Sequence, residues 1–185
     1  MRRLVTAFAP AALASAALAA SPALAALAPG AKAPDFTTRG AIAGKVFAVN
    51  LATQLKRGPV VLYFFPAAFT SGCNAEARAF AAKVDEFKAA GATVIGMSAD
   101  PVEQLQKFSA TECAGRFAVA SAGPAVVKGY DVAFPKPIGG RTVTSRTSYV
   151  IGRDGRVAFV HDDMNPAEHV NLTLAAVKRL ETRAR

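Results

Sequence analysis

The chain has 185 residues, 52% of them hydrophobic, which is enough for one domain with a sizeable core. The formal net charge is +9 at pH 7, but the basic residues are scattered and form no dense run and no patch interleaved with aromatic residues. This distribution argues against a nucleic-acid partner. Only two cysteines occur, Cys73 and Cys113. In an oxidising compartment such a pair could be a plain structural disulfide, so their context has to decide their role.

Residues 1–25 have the pattern of a secretory signal peptide. Arg2 and Arg3 form a positive n-region, residues 4–20 are almost wholly apolar and rich in alanine, and Ala23-Leu24-Ala25 fits the small-x-small cleavage pattern. We therefore predict cleavage after Ala25. The mature chain would then be soluble and exported, most simply to the periplasm.

A retained membrane anchor is the alternative interpretation of the same segment. The apolar run is short, it is interrupted by Pro10, and alanine is only weakly hydrophobic. These features favour a cleaved leader over a span, and the mature domain is predicted to comprise residues 26–185 without a stable membrane insertion.

The first half of the mature chain predicts two strands and two helices. In order, they are a strand at 44–49 after a turn at Gly40 to Gly44, a short helix at 51–56 capped by Asn50, a buried strand at 60–65, and a helix whose first turn contains Cys73 and which ends at 89–91. The strand at 60–65 is apolar on both faces, as expected of a central strand that helices cover on each side.

The second half continues the alternation and then closes with a hairpin and a helix. In order, the pattern predicts a strand at 93–98, a helix N-capped by Asp100 with Pro101 at its first position, a strand at 117–120, a helix at 124–130, a loop at 134–140, a hairpin with strands at 148–152 and 156–160 around Asp154-Gly155, and a last helix that starts at Asn165-Pro166 and buries Val170, Leu174 and Val177. This order predicts one α/β domain with a mixed β-sheet flanked by helices, a pattern that several α/β folds share.

Cys73 lies where the buried strand passes into a helix. In the first turn of a helix the backbone N–H groups have no intrahelical acceptor and the helix dipole is positive. Both effects favour the thiolate, which is the reactive form of cysteine. The local pattern alone therefore makes Cys73 a candidate nucleophile.

The residues around Cys73 resemble a known family. Pro66-x-x-x-Thr70-x-x-Cys73 is similar to the PxxxTxxC signature of the peroxiredoxins, and the longer Phe65-Pro66-x-x-Phe69-Thr70-x-Gly72-Cys73-x-x-Glu76 resembles their bacterioferritin-comigratory branch. The similarity continues through the segments at 94–100 and 146–155 and covers nearly all of the chain after Pro29. The resemblance implies a thioredoxin-like fold and a thiol-dependent peroxidase that reduces hydrogen peroxide and organic hydroperoxides.

The resemblance also implies roles for four residues beside the nucleophile Cys73. Arg146 precedes Thr147-Ser148-Tyr149 as the family's arginine precedes its strand, and it would stabilise both the thiolate and the transition state. Glu76 would orient that arginine. Thr70 lies about one helical turn before Cys73, so its hydroxyl could face the sulfur and the peroxide, and a plain helix cap is the alternative. Pro66 would end the strand and shield the site from water.

Arg141 is the competitor for the role assigned to Arg146, but it does not match the family's pattern. No metal set or phosphate-binding loop accompanies these residues, so no cofactor is expected. His161 and His169 have no metal-ligand spacing to a neighbour, and His161 to Asn165 has the composition of a solvated loop.

Attack on peroxide would convert Cys73 to a sulfenic acid that a second thiol can condense with. In part of the resembled branch the resolving cysteine lies five residues after the nucleophile, where this chain has Arg78. Cys113, which is 40 residues after Cys73, is the other candidate. We predict an intramolecular Cys73–Cys113 disulfide that forms after local unwinding. The alternative is a one-cysteine enzyme in which Cys113 is a small core residue.

Two other function classes compete with the peroxidase. A periplasmic thiol–disulfide reductase would need Cys-x-x-Cys, whereas positions 70 and 76 are Thr and Glu. A thioredoxin-fold metal-binding protein of the copper-delivery type would show Cys-x-x-x-Cys, whereas position 77 is Ala. The resemblance to the peroxiredoxins implies a peroxide and a thioredoxin-like or other thiol reductant as partners, and the expected assembly is a monomer or a weak dimer.

Overall fold

The structure is a computed structural model that describes residues 26–184, so the predicted signal peptide lies outside the described residues. Seven strands and five helices follow one another in this part of the chain. They are β1 (Thr37–Ile42), β2 (Lys45–Asn50), α1 (Leu51–Leu55), β3 (Val60–Phe64), α2 (Ser71–Ala89), β4 (Thr93–Ser98), α3 (Val102–Thr111), β5 (Ala118–Ser121), α4 (Pro124–Gly129), β6 (Thr147–Ile151), β7 (Val157–Asp162) and α5 (His169–Ala184).

The strands form one mixed sheet in the order β2-β1-β5-β4-β3-β6-β7. β3, β4 and β5 are parallel to one another, because helices α2 and α3 carry the chain back between them. β1, β2, β6 and β7 pair with their neighbours in the antiparallel sense. The predicted mixed sheet flanked by helices is confirmed, and every residue of β3 is buried, as its unbroken apolar run predicts.

Successive residues of β3 point into two separate cores, one on each face of the sheet. Val61 and Tyr63 pack with the apolar faces of α2, α3 and α5. Leu62 and Phe64 pack on the other face with residues of α1 and α4. The predicted stripe of α5 is buried, with Val177 fully inaccessible. The sheet therefore holds α2, and with it Cys73, on one of its faces.

The first hairpin differs from its prediction. Gly40 lies inside β1, opposite Phe47, and the turn consists of Ala43 and Gly44, both of which have positive φ. A side chain at position 40 would bring its Cβ to 2.7 Å from the carbonyl oxygen of Val119 in β5. Gly40 is thus required by the close approach of a neighbouring strand, and interpreting it as a turn residue was wrong.

Two predicted helix starts are also wrong. Asp100 does not cap α3: Pro101 is the N-cap, and the helix begins at Val102. The Asp100 carboxylate instead accepts hydrogen bonds from the backbone N–H of Ala68 at 2.7 Å and from the Ser98 hydroxyl at 2.6 Å. The last helix begins at His169 and not at Asn165, whose side-chain oxygen accepts from the Ala167 N–H in a turn before the helix.

Candidate active site

Cys73 is the third residue of α2 and only 1% exposed. The Thr70 carbonyl accepts the N–H of Asn74 at 2.9 Å, which is the first hydrogen bond of the helical pattern. The amides of the residues just before Asn74 therefore have no acceptor in a preceding helical turn, and their dipoles lie at the sulfur's end of the helix.

The loop between β3 and α2 is fixed by side chains from outside it. The Thr144 hydroxyl donates to the Phe65 carbonyl at 2.7 Å, and Asp100 holds the amide of Ala68. Pro66, directly after Phe65, is buried and supplies no N–H that would need a partner. The loop that positions the thiol is thus held at the Phe65 carbonyl and the Ala68 amide by side chains from two distant segments of the chain.

The pairing of β3 with β6 brings Arg146 to the thiol. These strands are antiparallel with Phe64 opposite Thr147, so the residue before β6 lies beside the loop that begins α2. The Nη2 atom of Arg146 is 3.5 Å from the sulfur of Cys73, and the side chain is nearly inaccessible to solvent. Arg141 has a different partner: its Nη2 lies 3.3 Å from the carboxylate of Asp100.

Two further contacts orient the guanidinium of Arg146. Its Nη1 donates to the Oε2 atom of Glu76 in a very short ion pair, and its Nε donates to the backbone carbonyl of Met164 at 2.9 Å. Glu76 lies one turn after Cys73 on α2 and is 1% exposed. Burial raises the pKa of Glu76 to about 7, while the nearby Arg146 acts in the opposite direction.

Thr70 stands at the N-cap position of α2 but does not cap the helix with its side chain. Its hydroxyl donates to the Ala67 carbonyl at 3.0 Å. Interpreting Thr70 as a side-chain cap is therefore wrong. Because the side chain is exposed, its hydroxyl oxygen is at the open side of the loop that precedes Cys73.

Cys113 follows the end of α3 in a tight turn and is fully buried. Its N–H donates to the Phe108 carbonyl at 3.2 Å, and the next two residues, Ala114 and Gly115, have positive φ. Burial raises the pKa of the Cys113 thiol well above its ordinary value, and the neighbouring Glu112 adds to the effect. Both cysteines are free thiols here, and both belong to the apolar core between the sheet and α2.

Two histidines near the site were not assigned to it from the sequence. His161 belongs to β7, so placing it in a solvated loop was wrong, and its ring lies edge-on to that of His169 at a centroid distance of 4.5 Å. His169 is fully buried, and its Nδ1 lies 3.8 Å from the carboxylate of Glu76. No group of three or more metal-binding side chains occurs among residues 26–184.

Comparisons with known proteins agree with this geometry. Residues 29–160 match the model of the AhpC/TSA family. The chloroplastic peroxiredoxin Q of Oryza sativa subsp. japonica is 33% identical over 173 residues, which cover 93% of this chain and 76% of the relative. The peroxiredoxin Bcp of Escherichia coli K12 is 32% identical over 132 residues, which cover 70% of this chain and 84% of the relative.

Solved structures lead to the same family. The peroxidoxin BcpB of Mycobacterium tuberculosis superposes with a TM-score of 0.73 at 29% identity, covering 82% of this chain and 97% of that one. The bacterioferritin comigratory protein of Xanthomonas campestris superposes with a TM-score of 0.67 at 27% identity, covering 77% of this chain and 91% of that one.

The chain belongs to the AhpC/TSA family, the peroxiredoxins, and has their thioredoxin-like fold. Its relatives place it in the Bcp/peroxiredoxin Q branch of that family. It is a thiol-dependent peroxidase. No helix within residues 26–184 is both long and apolar enough to cross a membrane.

Proposed function

We propose that Cys73 is the peroxidatic cysteine and that it reduces hydrogen peroxide and organic hydroperoxides. The observation that carries this proposal is the contact of 3.5 Å between the Arg146 guanidinium and the Cys73 sulfur at the start of α2. A permanent positive charge and the helix dipole both favour the thiolate over the thiol. The bacterioferritin comigratory protein of Xanthomonas campestris has alkyl peroxide reduction activity, which supports the organic substrates.

The reaction begins with attack of the Cys73 thiolate on one peroxide oxygen. A sulfur–oxygen bond forms and the oxygen–oxygen bond breaks, leaving Cys73 as a sulfenic acid and releasing an alkoxide or hydroxide that takes up a proton. Negative charge moves from the sulfur to the departing oxygen. Arg146 presents N–H donors beside the sulfur, so the same cation stabilises the charge at both ends of its path.

The other predicted site residues support this step in different ways. Glu76 and the carbonyl of Met164 orient Arg146, so Glu76 is a positioning residue. Thr70 offers an exposed hydroxyl to the bound peroxide, and Pro66 helps to exclude water from the buried side of the thiol. These roles follow from the location of each side chain together with the family's signature.

Cys113 is proposed as the resolving cysteine. Its thiol would displace the hydroxyl of the Cys73 sulfenic acid, giving an intramolecular disulfide and water. Support comes from the common core that contains both sulfurs. Because Cys113 is fully buried in a turn, that turn has to open before the disulfide forms.

A dithiol reductant of the thioredoxin type would then return the enzyme to its starting state. It would reduce the disulfide to two thiols and become oxidised itself. The predicted signal peptide supports export to the periplasm, which requires that the reductant also act there. The proposed working unit is a monomer or a weak dimer.

Counting thiols after one equivalent of peroxide tests the assignment of the two cysteines. In the chain from Ala26 onward, the wild type should lose two free thiols per peroxide and form a Cys73–Cys113 disulfide that peptide mapping identifies. Cys73→Ser should consume no peroxide. Cys113→Ser should lose one thiol, form a sulfenic acid that a dione reagent traps, and then stop unless a donor reaches Cys73 directly.

Two results would contradict these assignments separately. Peroxide consumption by Cys73→Ser would overturn the choice of nucleophile. Full steady-state activity of Cys113→Ser with the same reductant would remove the resolving role from Cys113 but leave that of Cys73 intact.

A further inference from the structure

His169 is fully buried and uncharged, and it lies next to Glu76, the ion-pair partner of Arg146. Its Nε2 lies 2.8 Å from the backbone carbonyl of Asp163, and its Nδ1 lies 2.8 Å from the hydroxyl of Ser148 in β6. A carbonyl oxygen can only accept, so Nε2 carries the proton and Nδ1 accepts from the hydroxyl. Burial lowers the pKa of His169 to about 4, His161 and Arg146 add to this effect, and Asp163 acts in the opposite direction, so the ring is neutral near pH 7.

The carbonyl that His169 holds belongs to the segment that orients Arg146. In this segment the N–H of Asp163 donates to the backbone carbonyl of Arg146 at 3.2 Å. The carbonyl of the next residue, Met164, accepts from Arg146 Nε. Residues 163–164 therefore hold both the backbone and the side chain of the arginine, and His169 fixes their position from the side of α5.

His169 also lies against the second support of the arginine. One carboxylate oxygen of Glu76 pairs with Arg146. The other, Oε1, is buried without a hydrogen-bond partner within the described residues and lies 3.8 Å from Nδ1 of His169. A rotation of the Glu76 carboxylate away from Arg146 would bring it into the space that the imidazole fills.

We propose that His169 is a positioning residue for the peroxidase reaction, which keeps the guanidinium of Arg146 at the Cys73 sulfur by holding residues 163–164 and confining the carboxylate of Glu76. The inference rests on the proposed function. A histidine that only packs in the core contributes to stability alone. His169 would in addition set the alignment of Arg146, which donates hydrogen bonds in the transition state. Small misalignments of such groups reduce rates by as much as about 100-fold.

The test compares His169→Leu, His169→Gln and His169→Asn in the chain from Ala26 onward. A Gln amide reaches about as far as Nε2 and can donate to the Asp163 carbonyl, an Asn amide is shorter, and Leu has no donor. The matched control is Thr173→Val, because Thr173 is a buried residue one turn further along α5 whose hydroxyl bonds only within that helix, to the carbonyls of His169 and Val170.

Two rates are measured for each variant, at a pH where the ultraviolet absorbance shows Cys73 to be fully ionised. The first is the second-order oxidation of Cys73 by hydrogen peroxide, and the second is its alkylation by iodoacetamide, which needs no oxyanion donor. We expect His169→Leu to lower the peroxide rate by about 10- to 100-fold, with the alkylation rate within about 3-fold of wild type. His169→Gln should be at least about 5-fold faster with peroxide than His169→Asn.

Each outcome decides the inference. Equal peroxide rates in wild type and His169→Leu, or equal losses in His169→Leu and Thr173→Val, would overturn it. If His169→Leu does not fold, the comparison of Gln with Asn decides, and equal rates in that pair would contradict the proposal. A wild-type protein that leaves hydrogen peroxide untouched would instead contradict the proposed function.

Discussion

The two cysteines occupy the same core but very different surroundings. Cys73 lies at the start of a helix of 19 residues, and the arginine beside it is fixed by a buried carboxylate and a backbone carbonyl. Cys113 lies in a turn that contains two residues with positive φ, and the neighbouring charge, that of Glu112, disfavours its thiolate. The surroundings of Cys73 already contain its charged partner, whereas the buried Cys113 would have to be exposed by a rearrangement to serve as the proposed resolving cysteine.

The connections between the Cys113 turn and the helix of Cys73 are of a kind that breaks easily. Glu112, beside Cys113, pairs with Arg78 of α2 at 2.8 Å, and Arg116 pairs with Asp85 of α2 at 2.6 Å. Three of these four side chains are largely exposed, and exposed ion pairs contribute little to stability. In the proposed mechanism, attack and resolution therefore have separate structural requirements: fixed buried contacts around Cys73 for the first, and opening of the buried Cys113 turn for the second.

Removing the positive charge beside Cys73 should have the largest effect on the difference in reactivity between the two cysteines. We expect Arg146→Ala to slow the oxidation of Cys73 by about 100- to 1,000-fold, because the developing oxyanion loses its donor. The rate is measured by stopped-flow oxidation of Cys73 with hydrogen peroxide.

Arg141→Ala is the matched control, because Arg141 is a nearby arginine whose carboxylate partner is Asp100. It should leave the oxidation rate within about twofold of wild type, because the Arg141 side chain is largely exposed and Asp100 keeps its bonds to Ala68 and Ser98. An unchanged oxidation rate in Arg146→Ala would remove the electrostatic role assigned to Arg146.

The pH dependence of stability tests whether His169 is neutral in the folded chain. Its pKa falls from an ordinary 6.5 to about 4 on folding, so the unfolded chain binds more protons between these values. The stabilisation is therefore fully present above pH 6.5 and is lost as the pH falls through about 4, by about 3 kcal/mol in total. Glu76 has the opposite sign: with its pKa raised to about 7, its contribution is lost as the pH rises through 7.

Because the two groups oppose each other, the informative quantity is the difference in unfolding free energy between wild type and His169→Gln. This difference should shrink as the pH falls from 6.5 to 4, as measured by denaturant unfolding. Thr173→Val against wild type should show a difference that does not vary with pH. A constant difference for His169→Gln would show that the imidazole titrates normally in the folded protein.

Weakening the surface ion pairs gives the smallest expected effect and acts on the other cysteine. Glu112→Gln should accelerate formation of the Cys73–Cys113 disulfide by about two- to fivefold, because the turn loses its ion pair with Arg78 of α2. The rate of peroxide attack on Cys73 should not change. Single-turnover kinetics with separate readouts for sulfenic acid and disulfide distinguish the two steps.

Lys83→Gln serves as the control for that experiment, since Lys83 pairs with Glu86 on the exposed side of α2, away from the Cys113 turn. Both steps should keep their wild-type rates in this variant. A slower disulfide step in Glu112→Gln would contradict the idea that opening of the turn limits resolution.

The regular elements could be predicted because each has a local signal. The limits of β4 are those predicted, and the apolar run of β3 and the Asp-Gly hairpin lie where the pattern places them. β1 escapes prediction because its Gly40 has the local signal of a turn, although a neighbouring strand requires it. Asp100 resembles a cap because Asp-Pro fits a helix start, and its tertiary partners override that local signal.

The residues of the active site likewise include some that a local pattern predicts and others that it does not. Cys73 and Arg146 could be proposed from the family's motifs, but the contact between them depends on the register of β3 against β6, which no local pattern specifies. His169 could not be found, because a single histidine at the start of an amphipathic helix carries no signal of what it faces. Its partners come from β6, α2 and the segment after β7, which only the folded chain brings together.

The position of the Tyr63 ring depends on the absence of a side chain at Gly96 in the neighbouring strand β4. Tyr63 stacks on Phe80 of α2 at a centroid distance of 4.2 Å, and a Cβ at Gly96 in β4 would lie 2.8 Å from its phenol oxygen. Exchanging Gly96 for alanine would force the Tyr63 phenol to move, and the ring stacked on that phenol belongs to α2, the helix that contains Cys73. A small substitution in β4, a strand that contributes no atom to the reaction, would thereby affect the packing of the helix that contains the nucleophile.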